Sequence, residues 1–187
     1  MQYFRVLGNV RRRFVGYAAT ATLLGYCLVS AGCSVVAGSS MHSLGPYDCG
    51  TPSEMIERVN EYRMDQGRSA LEILPELQTS AQNKADDMVD YNYFSHDTPY
   101  GKRWYEFFTE EEIPNGWKGE NMAANSKHDP SEEALKRWKS SQGHNANMLN
   151  EFYTHIGVGI SFGKTFSSKN TCNYIQQFWG PADQHER

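Results

Sequence analysis

Two histidines and one glutamate stand in settings that can do chemistry. His96 lies in Ser95-His96-Asp97-Thr98-Pro99, Glu120 in Gly119-Glu120-Asn121, and His144 in Gly143-His144-Asn145-Ala146-Asn147. Two imidazoles and a carboxylate make either a site for zinc or another divalent cation or an acid–base pair, provided the chain brings them together. A third arrangement draws on the same residues: a hydrogen-bonded network that pins loops to a sheet. Each of the three sits beside Gly, Ser or Pro, which suits the rim of a cleft. Asn147 is three positions beyond His144, so on a helix the two share a face.

A nucleophile is harder to find. Ser95 adjoins His96, but neighbours on an extended segment point in opposite directions, and no Gly-x-Ser-x-Gly elbow occurs. Ser141 precedes His144 by three residues and can meet its ring, although its place suits the N-cap of a short helix. Water activated by a metal is the economical route for a hydrolase here. Aromatic residues crowd the same region: Tyr91, Tyr93, Phe94, Trp104, Tyr105, Phe107 and Phe108 surround His96, and Trp117 precedes Glu120. Most belong in a core, while Trp104 or Trp117 at a rim can stack on a ligand. The run Glu110-Glu111-Glu112 reads as a solvated loop.

The elements that must position these groups follow from caps and periods. Thr51-Pro52-Ser53-Glu54 is a helix start with a capping box, and Ile56, Val59 and Arg63 continue it towards a stop at Gly67. A second helix opens at Pro75 with the stripe Leu77, Ala81, Ala85, Met88 and Val89, leaving Lys84, Asp86, Asp87 and Asp90 elsewhere around the cylinder. Asp129-Pro130-Ser131-Glu132 opens a third, whose buried face is Ala134, Leu135 and Trp138; a short fourth follows Gly143. From His155 the period becomes two. Ile156, Val158, Ile160 and Phe162 face one way, and Gly157, Gly159, Ser161 and Gly163 the other, so the bare face should be closely covered. Cys172 to Trp179 is a second strand, joined to the first by a hairpin, and a third begins near Glu120 and runs through Ala124. Helices first and a terminal hairpin make an α+β layered fold.

Length and charge narrow the classes. The 187 residues suit one domain. The formal net charge is −4, and the first 33 residues carry four arginines and no acid, so without them 14 bases face 22 acids and the charge becomes −8. With no basic stripe, nucleic acid is excluded as a partner. Arg11-Arg12-Arg13, the apolar run from Phe14 to Val29 and Ser30-Ala31-Gly32 read as an export signal over 1–33. Ala31-Gly32-Cys33 resembles the end of a lipobox, so Cys33 is the candidate lipidation site. Ordinary cleavage and an uncleaved anchor are the rivals, and all three put the body outside the cytoplasm, secreted or on the cell surface, with the N-terminal lipid or anchor as the membrane contact. Residues 34–50 read as a Ser/Gly-rich tether, 51–181 as the domain and 182–187 as a polar tail. Of four cysteines, two lie in the signal. Cys49 and Cys172 remain, and in an oxidising compartment they can form one bridge.

The order Asn60-Glu61-Tyr62-Arg63, Ser95-His96-Asp97-Thr98-Pro99, Gly119-Glu120-Asn121-Met122-Ala123, Trp138, Gly143-His144-Asn145-Ala146-Asn147-Met148-Leu149 and Ile156-Gly157-Val158-Gly159 resembles the CAP superfamily. That superfamily includes cysteine-rich secretory proteins, antigen 5 and pathogenesis-related proteins, and the chain looks most like its compact bacterial branch. The resemblance implies an α-β-α sandwich with a central antiparallel sheet, and a cleft holding two His and two acids. His96, His144 and Glu120 match three of them, while the second acid falls on Ser141. The expected function is an extracytoplasmic binding module for a small ligand, lipid or envelope or host component, with a divalent metal on His96, Glu120 and His144 as an option. The alternative is a metal-assisted, peptidase-like hydrolase using the same cleft, with Glu120, His96 and His144 as its catalytic groups.

Overall fold

The computed structural model describes residues 48–166 and 169–182. The export segment, Cys33, the tether through residue 47 and the tail from residue 183 lie outside the described residues. No described helix is long and apolar enough to cross a membrane.

Among the described residues, five helices and four strands follow one another as α1 (Pro52–Asp65), β1 (Glu72–Ile73), α2 (Pro75–Asp90), α3 (Glu106–Glu110), β2 (Gly116–Asn125), α4 (Pro130–Ser140), α5 (Gln142–Met148), β3 (His155–Lys164) and β4 (Asn170–Pro181). The capping box forms as read: Thr51 Oγ1 accepts from the Glu54 amide, and the Glu54 carboxylate accepts from that of Thr51. Asp129 caps α4 by accepting from the Glu132 amide. Ser141 does occupy the N-cap position of α5, but its side chain makes no cap hydrogen bond there.

The sheet runs β1-β3-β4-β2. The β3–β4 hairpin and the β2–β4 pair are antiparallel; the two-residue β1 pairs parallel with the start of β3, an edge addition that no local pattern announces. One face packs Met55, Ile56 and Val59 of α1 and Ala134, Leu135 and Trp138 of α4 against Ile156, Val158, Tyr174 and Phe178. The other packs Ala81, Ala85 and Met88 of α2 on Met122 and Ile175, with Leu77 and Phe108 beside them. Helices on both faces make the α-β-α sandwich.

The bare face of β3 is covered by the backbone of α2. A Cβ on Gly157 would lie 2.3 Å from the Leu77 carbonyl oxygen, and one on Gly159 2.0 Å from that of Ala81. Helix and strand touch main chain to main chain there, and two glutamines exploit the closeness. The Gln78 amide donates to the Val158 carbonyl and accepts from the Val158 N–H; Gln82 does the same at Ile160, at 3.0 and 3.1 Å. Gly159→Ala must force α2 off the sheet, so we expect a loss of about 1–3 kcal/mol, read as a lowered urea midpoint.

Cys49 and Cys172 are joined, with Cα atoms 5.6 Å apart. The Tyr174 hydroxyl also donates to the Cys49 carbonyl at 2.9 Å. Residues 48–50, assigned to the tether from composition, are therefore bound into the domain.

Candidate functional site

β2 is the outer strand at one side of the sheet, and its exposed edge is dressed by side chains. The carbonyls of Lys118, Glu120, Met122 and Ala124 accept from the Tyr153 hydroxyl (3.1 Å), the Asn147 amide (3.3 Å), the Trp138 indole (3.0 Å) and Arg137 (3.4 Å). Alternation along β2 places Lys118 and Glu120 on one face, beneath the loop that carries His96.

There His96 Nδ1 lies 2.8 Å from Glu120 Oε1, and Gln177 Nε2 donates to Glu120 Oε2 at 3.0 Å. The Glu120 side chain is 1% exposed and that of His96 48%. A buried carboxyl oxygen needs a donor, so Nδ1 carries a proton, and in the neutral ring Nε2 is then the acceptor. A cavity of about 270 Å³ is lined by His96, Trp104, Lys118, Gly119, Glu120 and Asn147. Burial holds the Lys118 amine below its ordinary pKa.

The structure brings His96, Glu120 and Asn147 to one hollow. His144 and Ser141 line a separate, more apolar hollow of about 530 Å³ along the next stretch of β2, with Met122, Trp138, Phe94 and Phe166. The two hollows are linked by Asn121, whose amide donates to the His144 carbonyl (3.0 Å), while Asn147 donates to Asn121 Oδ1 (2.9 Å). Desolvation first, and then the nearby His96, lowers the His144 pKa, favouring a neutral ring. Of the aromatic residues, Tyr93, Phe107 and Phe108 are core, Trp104 is at the cleft, and Trp117 stacks on Phe152 with ring centroids 5.0 Å apart, outside the cleft lining.

A divalent cation would draw on His96, Glu120 and His144. Both oxygens of Glu120 and the Nδ1 of His96 are engaged in the contacts just given, while His144 lines the adjoining hollow near His96. Among the described residues, no three His, Cys, Asp or Glu side chains are grouped to hold a metal. His96, Glu120 and Gln177 form a hydrogen-bonded cluster.

Two site residues escape the sequence reading. Lys118 sits two positions before Glu120, which on a strand is the same face, and that spacing was the available signal. Lys84, which the apolar stripe leaves elsewhere around the α2 cylinder, is fully buried. Its ammonium donates to the Ser95 carbonyl (2.9 Å), the His96 carbonyl (2.7 Å) and the Tyr93 hydroxyl (2.9 Å), fixing the loop from below. The correction has a physical reason: position 84 is three beyond Ala81 and four before Met88, so it falls on the inward stripe. Burial, opposed by Glu120, Asp87 and Asp97, lowers its pKa to about 8.

Glu120→Gln should reverse the dyad. Gln177 would still donate to the new amide oxygen, so the amide nitrogen would donate to Nδ1 and the His96 proton would move to Nε2. Nitrogen-detected NMR should show the tautomer change, with a stability loss of about 1–2 kcal/mol; an unchanged tautomer would contradict the dyad.

Comparison with known proteins agrees with this architecture. The model of the cysteine-rich secretory protein family, CAP, matches residues 56–178. YkwD of Bacillus subtilis (strain 168) is 39% identical over 106 residues, 57% of this chain and 40% of YkwD. The membrane protein YlbC of the same organism is 31% identical over 107 residues, 57% of this chain and 30% of YlbC. The matched segment thus spans less than half of either relative. Among solved structures, an extracellular protein containing an SCP domain from Bacillus anthracis str. Ames superposes with a TM-score of 0.58 at 29% identity, covering 69% of this chain and 40% of that one. An outer surface protein of Borrelia burgdorferi gives 0.58 at 17% identity, covering 69% and 91%, a likeness of fold alone. With the family match spanning most of the domain and the sandwich in place, the chain belongs to the cysteine-rich secretory protein (CAP) family.

Proposed function

We propose that the chain is an extracytoplasmic binding module whose cleft takes a small polar ligand from the envelope or its surroundings. The observation that carries this reading is the lining of the cleft: an imidazole acceptor held by Glu120, the Lys118 amine, the Asn147 amide and the flank of Trp104. Acceptor, cation, amide and aromatic face are recognition chemistry. The cleft lining holds no hydroxyl or thiol to act as a nucleophile. Export is supported by the basic and apolar N-terminal run, by the Cys49–Cys172 bridge, which suits an oxidising compartment, and by the extracellular description of the Bacillus anthracis relative. Attachment through Cys33 or an uncleaved N-terminal segment is part of the same proposal.

The test is a fragment screen by NMR on the full chain, run beside turnover assays with generic peptide, ester and glycan substrates. Saturable shifts at His96, Trp104 and Asn147 without turnover are the expected result. Turnover that Glu120→Gln abolishes would replace the binding reading with the hydrolase.

A further inference from the structure

A larger cavity, of about 730 Å³, shares no lining residue with the cleft. It is enclosed by the turn after α1 (Gly67–Ala70), the entry to β3 (Tyr153–His155) and the end of β4 (Trp179, Pro181). Arg63, 2% exposed, forms part of its wall.

The partners of Arg63 are all neutral. Its Nε donates to the Ser69 carbonyl (2.8 Å), and its Nη1 to those of Met148 (2.5 Å) and Asn150 (3.1 Å). The ion pairs of the described residues do not include it. Its Nη2 makes no hydrogen bond to another described residue, and it is not among the sealed, unpartnered polar atoms. Burial, and then the like charge of Arg68, lowers the Arg63 pKa. A buried cation with no counter-ion is unfavourable, and an anion delivered from the cavity would relieve it.

The rest of the wall says what the anion is attached to. The indole of Trp179 and the ring of His155 lie with centroids 5.4 Å apart, and His155 is fixed by a 2.7 Å contact between Nδ1 and Thr154 Oγ1. Their planes are inclined at 54°, so the pair forms a corner in which a flat body can rest against one ring and meet the other at its edge. Arg68 stands at the rim, 3.2 Å from Glu151 and 41% exposed in its side chain, and adds a second cation. The acids Glu72 and Glu151 on the same wall disfavour a multiply charged ligand.

We propose that this cavity is a second binding site, for a small organic monocarboxylate with a flat body: the carboxylate meets Nη2 of Arg63 and the body rests against Trp179 with His155 at its edge. Guanidinium–carboxylate geometry suits such a contact.

Benzoate tests it against benzamide, its neutral counterpart of the same shape. In the full chain, benzoate should shift the Trp179 indole N–H signal saturably, with a dissociation constant at least tenfold below that of benzamide. Arg68→Glu, an exposed change that leaves the Arg63 contacts in place, should weaken benzoate at least threefold with little effect on the urea midpoint. Equal affinity for the two probes, no saturable shift, shifts at His96 and Trp104 instead of Trp179, or an Arg68→Glu variant that binds benzoate unchanged would each overturn the site.

Discussion

Cys172→Ala is expected to lower stability by about 3–5 kcal/mol. The bridge ties residues 123 apart in sequence, so it restricts almost the whole domain in the unfolded chain. Cys172 is also fully buried beside Tyr174, and removing its sulfur leaves a small void in the core. The release of Cys49 loosens the segment whose carbonyl receives the Tyr174 hydroxyl. Guanidinium titration should show the midpoint falling by a comparable amount in Cys49→Ala and in the reduced parent, and the denatured, unreduced parent should show no titratable thiol from this pair. A midpoint that ignores reduction would refute the account.

Lys84→Met is expected to cost about 3 kcal/mol at pH 7. Methionine matches the length of the lysine stem but leaves the Ser95 and His96 carbonyls and the Tyr93 hydroxyl without their donor. The loop carrying His96 should then loosen, with faster amide exchange from 95 to 98. A pH signature separates this from simple packing loss. The folded-state pKa of Lys84, about 8, lies below its ordinary 10.5, so between those values the unfolded chain binds the extra proton. Stability from this group therefore rises as pH climbs from about 8 towards 10.5, by on the order of 2 kcal/mol. Burial and the Asp87 contact raise the Tyr93 pKa, which works the other way above pH 10, so the rise is read between pH 8 and 10. In Lys84→Met the rise should vanish; if it persists, another group causes it.

These two sites differ in how far the sequence announced them. The cysteine pair emerged from compartment and count, the helix starts from Thr51, Pro75 and Asp129, and the close approach of α2 from the glycines on one side of β3. Each is a local rule with one physical solution. Lys84 was hidden because a charged residue is ordinarily placed outward, while its spacing from Ala81 and Met88 pointed inward. β1 and α3 are too short to show a period; the sheet and the core around Phe107 and Phe108 impose them from outside. The meeting of His96 with Glu120 depends on β2 lying under a distant loop, and family resemblance, not spacing, anticipated it. Ser141 was placed correctly at the head of α5, but its hydroxyl serves no cap, since position specifies the backbone and not the rotamer.

The glutamine pair on α2 bears on how such a domain behaves among its own copies. A primary amide presents an N–H donor beside a carbonyl acceptor, as a peptide group does, so Gln78 and Gln82 stand in for the rungs of a missing neighbour along β3. On the opposite border, four side chains claim alternate oxygens of β2. An incoming extended chain finds few vacant rungs on either flank, which removes the usual template for fibril growth at high local density.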